Sequence, residues 1–468
     1  MPETFQSDNA LDIVLTDNNY PPYKIDIQSE NKLTDDQRQS VYKYAGTKLS
    51  DLVKNNPNLL VFPDKIDNTN EDGIGELPLF TIENGGIVTG NLVGFFGFDD
   101  LKFEIISRFD RSKKQHFFHY MLQKVFFPNV IDLKTELDHL EKMIDILPYL
   151  FPTYLLRALR QGVFRQYRYF DFNDDRLRGA VNVAEHIRRN IPFMGKIAYR
   201  TREYTANNSL IHLVRHTIEF LRSRTKTRRI LSINQDVVDA VKRITDSTPD
   251  FSRRDLGKII AQNLRPTRHP FYTEYTALQK LCLQILRGEQ TSFGRSSDQV
   301  YGVLFDAAWL WEEYLTTCMP DWITHPQNKV QKGVLSIYKD GGGAFYPDFY
   351  SEKKCLPDEK RVIVLDAKYK KKDGQMGRED SFQLISYMHL LKAENGGLIY
   401  PAEHAIETRK DPGSERELVG YGGKVFTLAF RIPEADTFVD FCDKIKISEK
   451  RFAEILDSYK PNELLHSS

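Results

Sequence analysis

The sequence has no net charge and few cysteines, and both absences exclude classes of protein. Lys plus Arg and Asp plus Glu each number 65 in a chain of 468 residues, so the overall charge does not indicate a nucleic-acid partner. The four cysteines lie far apart and form no C-x-x-C pair: Cys282, Cys318, Cys355 and Cys442. This spacing argues against a zinc ribbon and against a disulfide scaffold, and it predicts plain thiols.

Signals for secretion, membrane insertion and nucleotide binding are also missing. Residues 1–8 contain no basic segment followed by an apolar one, and no apolar run approaches the length of a bilayer crossing. We therefore expect a cytoplasmic protein without a membrane partner. The pattern G-x-x-x-x-G-K-[ST] does not occur, and Gly341-Gly342-Gly343 is too short and wrongly placed for a phosphate-binding loop. The sequence thus predicts no GTP site in this chain.

The most informative pattern that is present ends in an acid and a base on one predicted strand. Phe345-Tyr346-Pro347-Asp348 precedes, by the length of a hairpin, the segment Val362-Ile363-Val364-Leu365-Asp366-Ala367-Lys368. Side chains of a strand alternate between its two faces, so Asp366 and Lys368 are expected on the same side. The neighbouring residues are apolar on both faces, which predicts an interior strand.

Removing this acid and this base from water costs hydration free energy, which a hydrated divalent cation and a phosphate can offset. The pattern therefore favours metal-dependent phosphodiester chemistry. The alternative is an exposed Asp–Lys pair on an edge strand, which is an ordinary surface feature.

A predicted helix before this strand adds a carboxylate. Leu304–Leu315 has the apolar spacing of an amphipathic helix, and it carries Glu312 and Glu313. Either residue can supply a third acid to the site. Three histidines without metal-ligand spacing are expected to be structural or exposed: His325, His389 and His404.

A second predicted helix follows the strand. It begins near Asp380, and Gln383 and Tyr387 fall one turn apart on one of its faces. The spacing D-x-x-Q also permits an alternative in which Asp380 is the N-cap and Gln383 its capping-box partner. The two roles can coexist, because a cap beside the site also anchors the helix there.

Positive charge is concentrated in two segments. Lys368–Arg378 follows the proposed catalytic strand and can meet a phosphate backbone, although an ordinary solvated loop has the same composition. Arg222–Arg229 lies at the end of a predicted helix, where positive charge complements the helix dipole. For the second segment we favour this structural role over contact with DNA or an acidic partner.

The chain is long for one hydrophobic core, so two or three domains are expected. Residues 1–85 are polar and rich in turns, and we treat them as an N-terminal extension of unknown role. Short strands are predicted at 86–97 and 101–107. From Gln115 to Leu286 helical periodicity dominates, with one apolar stripe formed by Leu210, Leu213, Val214, Thr217, Ile218 and Leu221.

The order of the motifs resembles the core of the PD-(D/E)XK nucleases: a helical Glu, then Pro-Asp, then Asp-Ala-Lys, then D-x-x-Q-x-x-x-Y. Leu365–Lys370 and Asp380–Tyr387 are similar to McrC, the nuclease subunit of GTP-dependent McrBC-type restriction systems. The resemblance covers about residues 86 to 400. Its other segments are Ser107-Arg108-Phe109-Asp110, Leu177-Arg178-Gly179, His186–Asn190 and Glu203–Asn208.

The resemblance implies an α+β multidomain fold. It comprises an N-terminal β-rich unit, a helical middle region and a C-terminal PD-(D/E)XK α/β nuclease core with a mixed central sheet. Residues 86–290 would then be the partner-docking region and residues 291–468 the endonuclease domain, with the boundary in the Gly- and Ser-rich stretch 288–298. The chain departs from shorter members in its first 85 residues and in a longer hairpin between Asp348 and Arg361.

The resemblance also assigns the chemistry. Asp348, Asp366 and the main-chain carbonyl of Ala367 would hold Mg²⁺, with Glu312 acting through water. Lys368 would orient or help deprotonate the attacking water and balance charge on the phosphate. Two helical residues would complete the site, with Gln383 steadying the nucleophile and Tyr387 supporting that amide.

The partners implied are double-stranded DNA and a hexameric McrB-like AAA+ GTPase, in a bacterial or archaeal cytoplasm. Two other functions remain open from the residues alone. The chain can be a non-catalytic adaptor that activates an AAA+ ring, or a stand-alone PD-(D/E)XK nuclease. Within residues 1–290 no short motif identifies a base-reading helix or a residue that stimulates the motor.

Overall fold

A computed structural model describes most of the chain. The described residues are 11–24, 33–56, 59–63, 74–110, 115–126, 147–225, 227–287, 300–326, 335–351, 361–371, 377–402, 415–420 and 422–460. The chain forms two compact units, one made of Met1–Met143 and Gly294–Ser468 and the other of Ile144–Phe293. The predicted boundary at 288–298 lies outside the described residues, and the predicted domain limits stay predictions.

The first part of the chain is rich in short strands. Its strands are β1 (Leu11–Thr16), β2 (Tyr23–Lys24), β3 (Leu59–Phe62), β4 (Phe80–Glu83), β5 (Gly86–Thr89), β6 (Leu92–Phe98) and β7 (Leu101–Ile106). Its helices are α1 (Asp35–Tyr44), α2 (Leu49–Asn55) and α3 (His116–Phe126). The predicted strands therefore exist as β5, β6 and β7. The turn at Asp99-Asp100 joins the last two, and Asp99 has a φ of 49° there.

A five-stranded sheet organises this part of the molecule, in the order β1-β7-β6-β11-β3, where β11 is Tyr301–Asp306. The close pairing of β6 and β11 requires a glycine. Gly94 has a φ of 136°, and a Cβ at this position would come within 2.2 Å of the Val303 carbonyl oxygen. Stacked rings fill the core beside the sheet, with the centroids of Phe96 and Phe103 4.7 Å apart. Strands from before residue 85 and after residue 290 thus share one sheet.

The second unit contains helices and a small sheet. Its elements are α4 (Leu147–Arg160), β8 (Gln166–Asp174), β9 (Ala180–Val181), α5 (Val183–Arg189), β10 (Ile197–Thr205), α6 (Ser209–Ser223), α7 (Gln235–Asp246), α8 (Leu256–Gln262) and α9 (Glu274–Arg287). The predicted apolar stripe lies on α6, and all six of its residues are buried. The structure adds the antiparallel sheet β8-β10-β9 to the predicted helical region. Every position of β8 is exposed or half-buried, so this strand lacks the buried apolar run by which a strand is recognised in a sequence.

The last part of the chain holds the mixed sheet that the resemblance implies. After β11 come α10 (Ala307–Thr316), β12 (Ile323–Thr324), β13 (Leu335–Ser336), β14 (Ala344–Phe345), β15 (Phe349–Ser351), β16 (Arg361–Ala367), α11 (Arg378–Leu391), β17 (Ala393–Ala402), β18 (Arg416–Glu417), β19 (Lys424–Arg431) and α12 (Phe438–Asp457). Six of these strands form one sheet in the order β12-β15-β16-β17-β19-β18. The pairs β16–β17 and β17–β19 are parallel and the others antiparallel, which confirms the mixed sheet.

The helix predicted from Leu304 begins later than expected. Leu304–Asp306 belongs to β11, and Asp306 is the N-cap of α10, where its carboxylate accepts bonds from the N–H groups of Ala308 and Trp309 at 2.9 and 3.3 Å. The apolar run before the cap is therefore strand. Within the described ranges, no helix is both long enough and apolar enough to cross a bilayer.

Candidate active site

The end of β16 brings together two acids that are distant in sequence. β15 pairs with β16 in an antiparallel register that sets Phe349 opposite Leu365, and one step further the same register sets Asp348 opposite Asp366. The N–H of Ala367 donates to Oδ2 of Asp348 at 2.7 Å. Asp366 is only 3% exposed. The predicted hairpin therefore exists, although its connecting residues 352–360 lie outside the described part of the chain.

Lys368 extends toward the same place as Asp366, as the strand alternation predicts. Its Nζ lies 2.6 Å from Oδ2 of Asp366. The same ammonium donates to Oε1 of Gln383 at 2.8 Å, and Nε2 of Gln383 donates to the Tyr387 hydroxyl at 2.8 Å. Gln383 and Tyr387 lie on α11, one turn apart. The helix thus presents an ordered amide to the lysine.

Burial and neighbouring charge alter the protonation of both members of this pair. Burial raises the pKa of Asp366 to about 7, and the nearby Asp348 carboxylate adds to the rise while Lys368 opposes it. For Lys368, burial lowers the pKa, but the charges of Asp366, Asp348 and Asp380 together outweigh it and raise the pKa. The lysine therefore stays a cation at neutral pH, whereas the buried acid lies near its midpoint.

Asp380 has a different role from the cap that the D-x-x-Q spacing permits. The N-cap of α11 is Gly377, so the capping interpretation is wrong and Asp380 lies inside the first turn. Its carboxylate is buried, receives a hydrogen bond from Nζ of Lys370 at 2.5 Å and lies 3.9 Å from Nζ of Lys368. Tyr400 also donates to it at 3.4 Å. Sequence reasoning missed this ion pair, because an acid in a first helical turn is common for dipole reasons alone.

The helix acids of α10 lie beside a histidine that contacts the site. Nδ1 of His325 donates to the carbonyl oxygen of Asp348 at 2.8 Å, and Nε2 lies 3.7 Å from Oε1 of Glu313. Burial lowers the pKa of His325, but its bonds to Glu313 and Asp348 and the charge of Glu312 outweigh burial and raise it. Glu312 is itself buried. A histidine expected to be structural thus supports the backbone of a proposed metal ligand, while His404 lies outside the described residues.

The donor atoms at the end of β16 are oxygens, the kind of ligand that Mg²⁺ prefers. Oδ2 of Asp366 is buried and, among the described residues, forms no hydrogen bond of regular geometry; its partner there is the Lys368 ammonium. Within the same ranges no group of three or more His, Cys, Asp or Glu side chains is arranged to hold a metal. Two carboxylates and a carbonyl are nevertheless a sufficient set for Mg²⁺, because this ion keeps several of its waters in proteins.

Comparisons with known proteins give a family for most of the chain. A family model described as McrBC 5-methylcytosine restriction system component matches residues 87–401. None of the curated proteins matches the chain.

Solved structures give a further likeness. A chain of a refined half-complex from the tetradecameric assembly of Thermococcus gammatolerans McrB AAA+ hexamers with bound McrC is 17% identical. The match covers 96% of this chain and 100% of that one, with a TM-score of 0.51. A chain of the Thermococcus gammatolerans McrBC complex is 16% identical over 66% of this chain and 86% of that one, and its TM-score of 0.31 carries no argument. The first likeness shows a shared fold.

Proposed function

Because the chain belongs to the McrBC family of 5-methylcytosine restriction system components, we propose that it is the Mg²⁺-dependent DNA endonuclease subunit of such a system. One observation carries this proposal. The Asp348 carboxylate, just before β15, accepts a hydrogen bond from the N–H of Ala367, the residue after Asp366 on β16, and the Lys368 ammonium lies 2.6 Å from Asp366. Two acids and an amine in this arrangement suit the hydrolysis of a phosphodiester.

The site residues have separate roles in the proposed hydrolysis. Asp348, Asp366 and the Ala367 carbonyl would hold the metal, with Glu312 acting through water. When bound, Mg²⁺ polarises the scissile phosphate and lowers the pKa of a water molecule. Lys368 orients that water and balances the charge that develops on the phosphate.

Gln383 and Tyr387 keep the lysine in place. The amide of Gln383 can accept from Lys368 only through Oε1, and its Nε2 donates to the Tyr387 hydroxyl in the same arrangement. Because an ammonium only donates, Lys368 selects this orientation of the amide, and the bond to the Tyr387 hydroxyl steadies it. Asp380 supplies a second negative group at 3.9 Å from the ammonium, which keeps the lysine charged.

The proposal includes two partners, double-stranded DNA and a McrB-like AAA+ GTPase hexamer, and a cytoplasmic location. Support for the motor comes from the family and from the related assembly, in which McrB AAA+ hexamers carry bound McrC. The sequence itself contains no P-loop pattern, so GTP hydrolysis falls to the partner.

The decisive experiment measures DNA cleavage by Asp366→Asn and Lys368→Ala proteins, with Mg²⁺, GTP and the GTPase partner present. We expect both variants to lose cleavage and to keep partner binding, measured by co-elution. Asp440→Asn is the matched control, because this carboxylate lies on α12 of the same unit and pairs with Lys444 at the surface. Full cleavage by purified Asp366→Asn protein would refute the proposal.

The same assay separates the other two functions. Cleavage by the wild-type chain without any GTPase would identify a stand-alone nuclease. A wild-type complex that stimulates GTP hydrolysis but never cuts DNA, over a full Mg²⁺ titration, would identify a non-catalytic adaptor.

A further inference from the structure

Tyr369, the residue after Lys368, connects the end of β16 to the N-terminal sheet. Its side chain is buried, and its hydroxyl lies 2.7 Å from Oγ of Ser107, so that one of the two donates to the other. Its ring meets the ring of Phe109 edge-on, with 5.0 Å between centroids. Ser107 and Phe109 directly follow β7. The strand of the proposed active site is therefore attached to a segment more than 250 residues earlier.

Arg108 adds a buried ion pair to the same contact. Its guanidinium carbon lies 5.0 Å from the centroid of the Tyr369 ring, within the range of a cation–π attraction. Its Nε donates to Oδ2 of Asp17 at 2.8 Å, and its backbone N–H donates to Oδ1 of the same carboxylate. The side chains of Arg108 and Asp17 are only 8% and 0% exposed. Asp17, directly after β1, thus orients the guanidinium against the tyrosine.

These residues, Asp17, Ser107, Arg108, Phe109 and Tyr369, form what we call the Tyr369 cluster. The cluster acts at the point where strand pairing ends. β16 ends at Ala367, and the N–H of Lys368 donates to the carbonyl of Ile399 at 2.8 Å. Beyond this bond, the side chain of Tyr369 anchors the chain to Ser107 and that of Lys370 anchors it to Asp380. Because successive side chains of extended chain alternate, the tyrosine occupies the side opposite to the Lys368 ammonium.

We infer that the Tyr369 cluster positions Lys368, and that β1 supports the active site through Asp17. The inference rests on the proposed nuclease function. It gives a role to part of the first 85 residues, which no motif explained. Tyr369 and Arg108 are positioning residues, because they contact the chain beside the lysine and none of the reacting groups.

The first test is amide hydrogen exchange in full-length, metal-free protein. Tyr369→Phe keeps the ring and removes only the bond to Ser107, whereas Tyr369→Leu also removes the cation–π contact. We expect the amides of residues 368–371 to exchange about fivefold faster in Tyr369→Phe and faster still in Tyr369→Leu. Tyr314→Phe is the control, because it removes a buried hydroxyl that donates to Glu449 at 3.0 Å in the same unit. This control leaves exchange at 368–371 unchanged.

The second test separates binding from chemistry. With Mg²⁺, GTP and the GTPase partner, a displaced lysine lowers kcat and leaves KM for DNA unchanged, because the DNA-binding surface is intact. We expect kcat to fall about 10- to 100-fold in Tyr369→Leu, since a shift of about 1 Å in a reacting group can cost about 100-fold. Tyr369→Phe retains more of the rate than Tyr369→Leu. If Tyr369→Leu does not fold, Tyr369→Phe decides the question.

The two proposals fail in different ways. If wild-type protein does not cut DNA, the proposed function is wrong, and the exchange measurement alone decides whether the cluster fixes residues 368–371. If wild-type protein cuts DNA and both Tyr369 variants match Tyr314→Phe in kcat and in exchange, the positioning role is wrong and the nuclease stands. A rise in KM for DNA as large as the fall in kcat would also overturn the positioning role.

Discussion

Two strand regions of this molecule pair an aspartate with a cation, and the pKa values of the two aspartates are shifted in opposite directions. At the end of β16, burial raises the pKa of Asp366 to about 7 despite the Lys368 ammonium at 2.6 Å. On the sheet of the second unit, a hydrogen bond from Arg200 lowers the pKa of Asp171, with 2.7 Å between Arg200 Nε and Asp171 Oδ1. The side chains of that second pair are 48% and 56% exposed. The distances are alike, so solvent access makes the difference.

Ion pairs indicate function where solvent is excluded from them. An exposed pair is solvated with or without its partner and contributes little to either folding or chemistry. A buried carboxylate whose pKa lies near neutral pH carries a desolvation cost that a bound ligand can remove. Groups with pKa values shifted in this way are concentrated at functional sites.

The largest effect is expected on catalysis at the buried pair. Lys368→Ala removes the charge that balances the phosphate, and we expect cleavage to fall about 10²- to 10³-fold, as for loss of one donor that stabilises a transition state. Single-turnover cleavage with the complete complex measures it. A fall of less than about threefold would mean that the ammonium has only a structural role.

The next effect is on stability and depends on pH. Burial raises the pKa of Asp366 from its ordinary value of 3.8 to about 7 in the native state. At pH values between these two, the native state binds more protons than the unfolded state. The free energy of unfolding therefore falls as the pH rises through this range. The full loss is about 4 kcal/mol. In EDTA, Asp366→Asn should therefore be more stable than wild type at pH 8 and lose that advantage toward pH 4.

Denaturant titrations of both proteins at several pH values measure this difference. Adding Mg²⁺ at pH 8 should stabilise wild type and leave Asp366→Asn nearly unchanged, because binding to the native state alone favours it. Parallel pH profiles for the two proteins would show that Asp366 does not titrate as its burial implies.

A smaller effect is expected at the amide that holds the lysine. Tyr387→Phe removes the acceptor of the Gln383 Nε2 bond, so the amide that accepts from Lys368 is held less firmly. We expect kcat to fall about fivefold, the size of one hydrogen bond, with no change in KM. Steady-state cleavage measures it, and a drop as large as that of Lys368→Ala would place the tyrosine among the reacting groups.

The smallest effect is expected at the exposed pair. Asp171→Asn removes the partner of Arg200, but both groups are already solvated. The melting temperature should change by less than about 2 °C, and added salt should shrink the difference further. Thermal unfolding in low and high salt measures it. A shift as large as that of Asp366→Asn at pH 8 would remove the contrast between the two regions.

Much of the arrangement around β16 was predictable, because it follows from local periodicity. Alternation along the strand puts Asp366 and Lys368 together, and helical spacing puts Gln383 beside Tyr387; the structure has both. The contacts of Asp380 and His325 were not predictable. Their partners lie on other elements, and an acid in a first helical turn or a single histidine has an ordinary structural explanation.

The same limit applies to the fold. The strands around Asp99-Asp100 and the apolar stripe of α6 are visible in the sequence, since each is a pattern within one element. The pairing of β11 with β6 and β3 joins segments roughly 200 residues apart or more, and no local pattern indicates it. The sheet β8-β10-β9 escaped prediction because its faces are largely polar and exposed.

Local sequence is enough to tell which side chains share a face, and therefore which acid and which amine can meet at the end of one strand. Backbone periodicity decides this, and periodicity is local. The burial of Asp366, the position of Asp348 near it and the support of Tyr369 by residues that follow β1 and β7 arise only when the chain folds. Burial and the pKa that follows from it depend on what packs around a group, and that packing comes from distant parts of the chain.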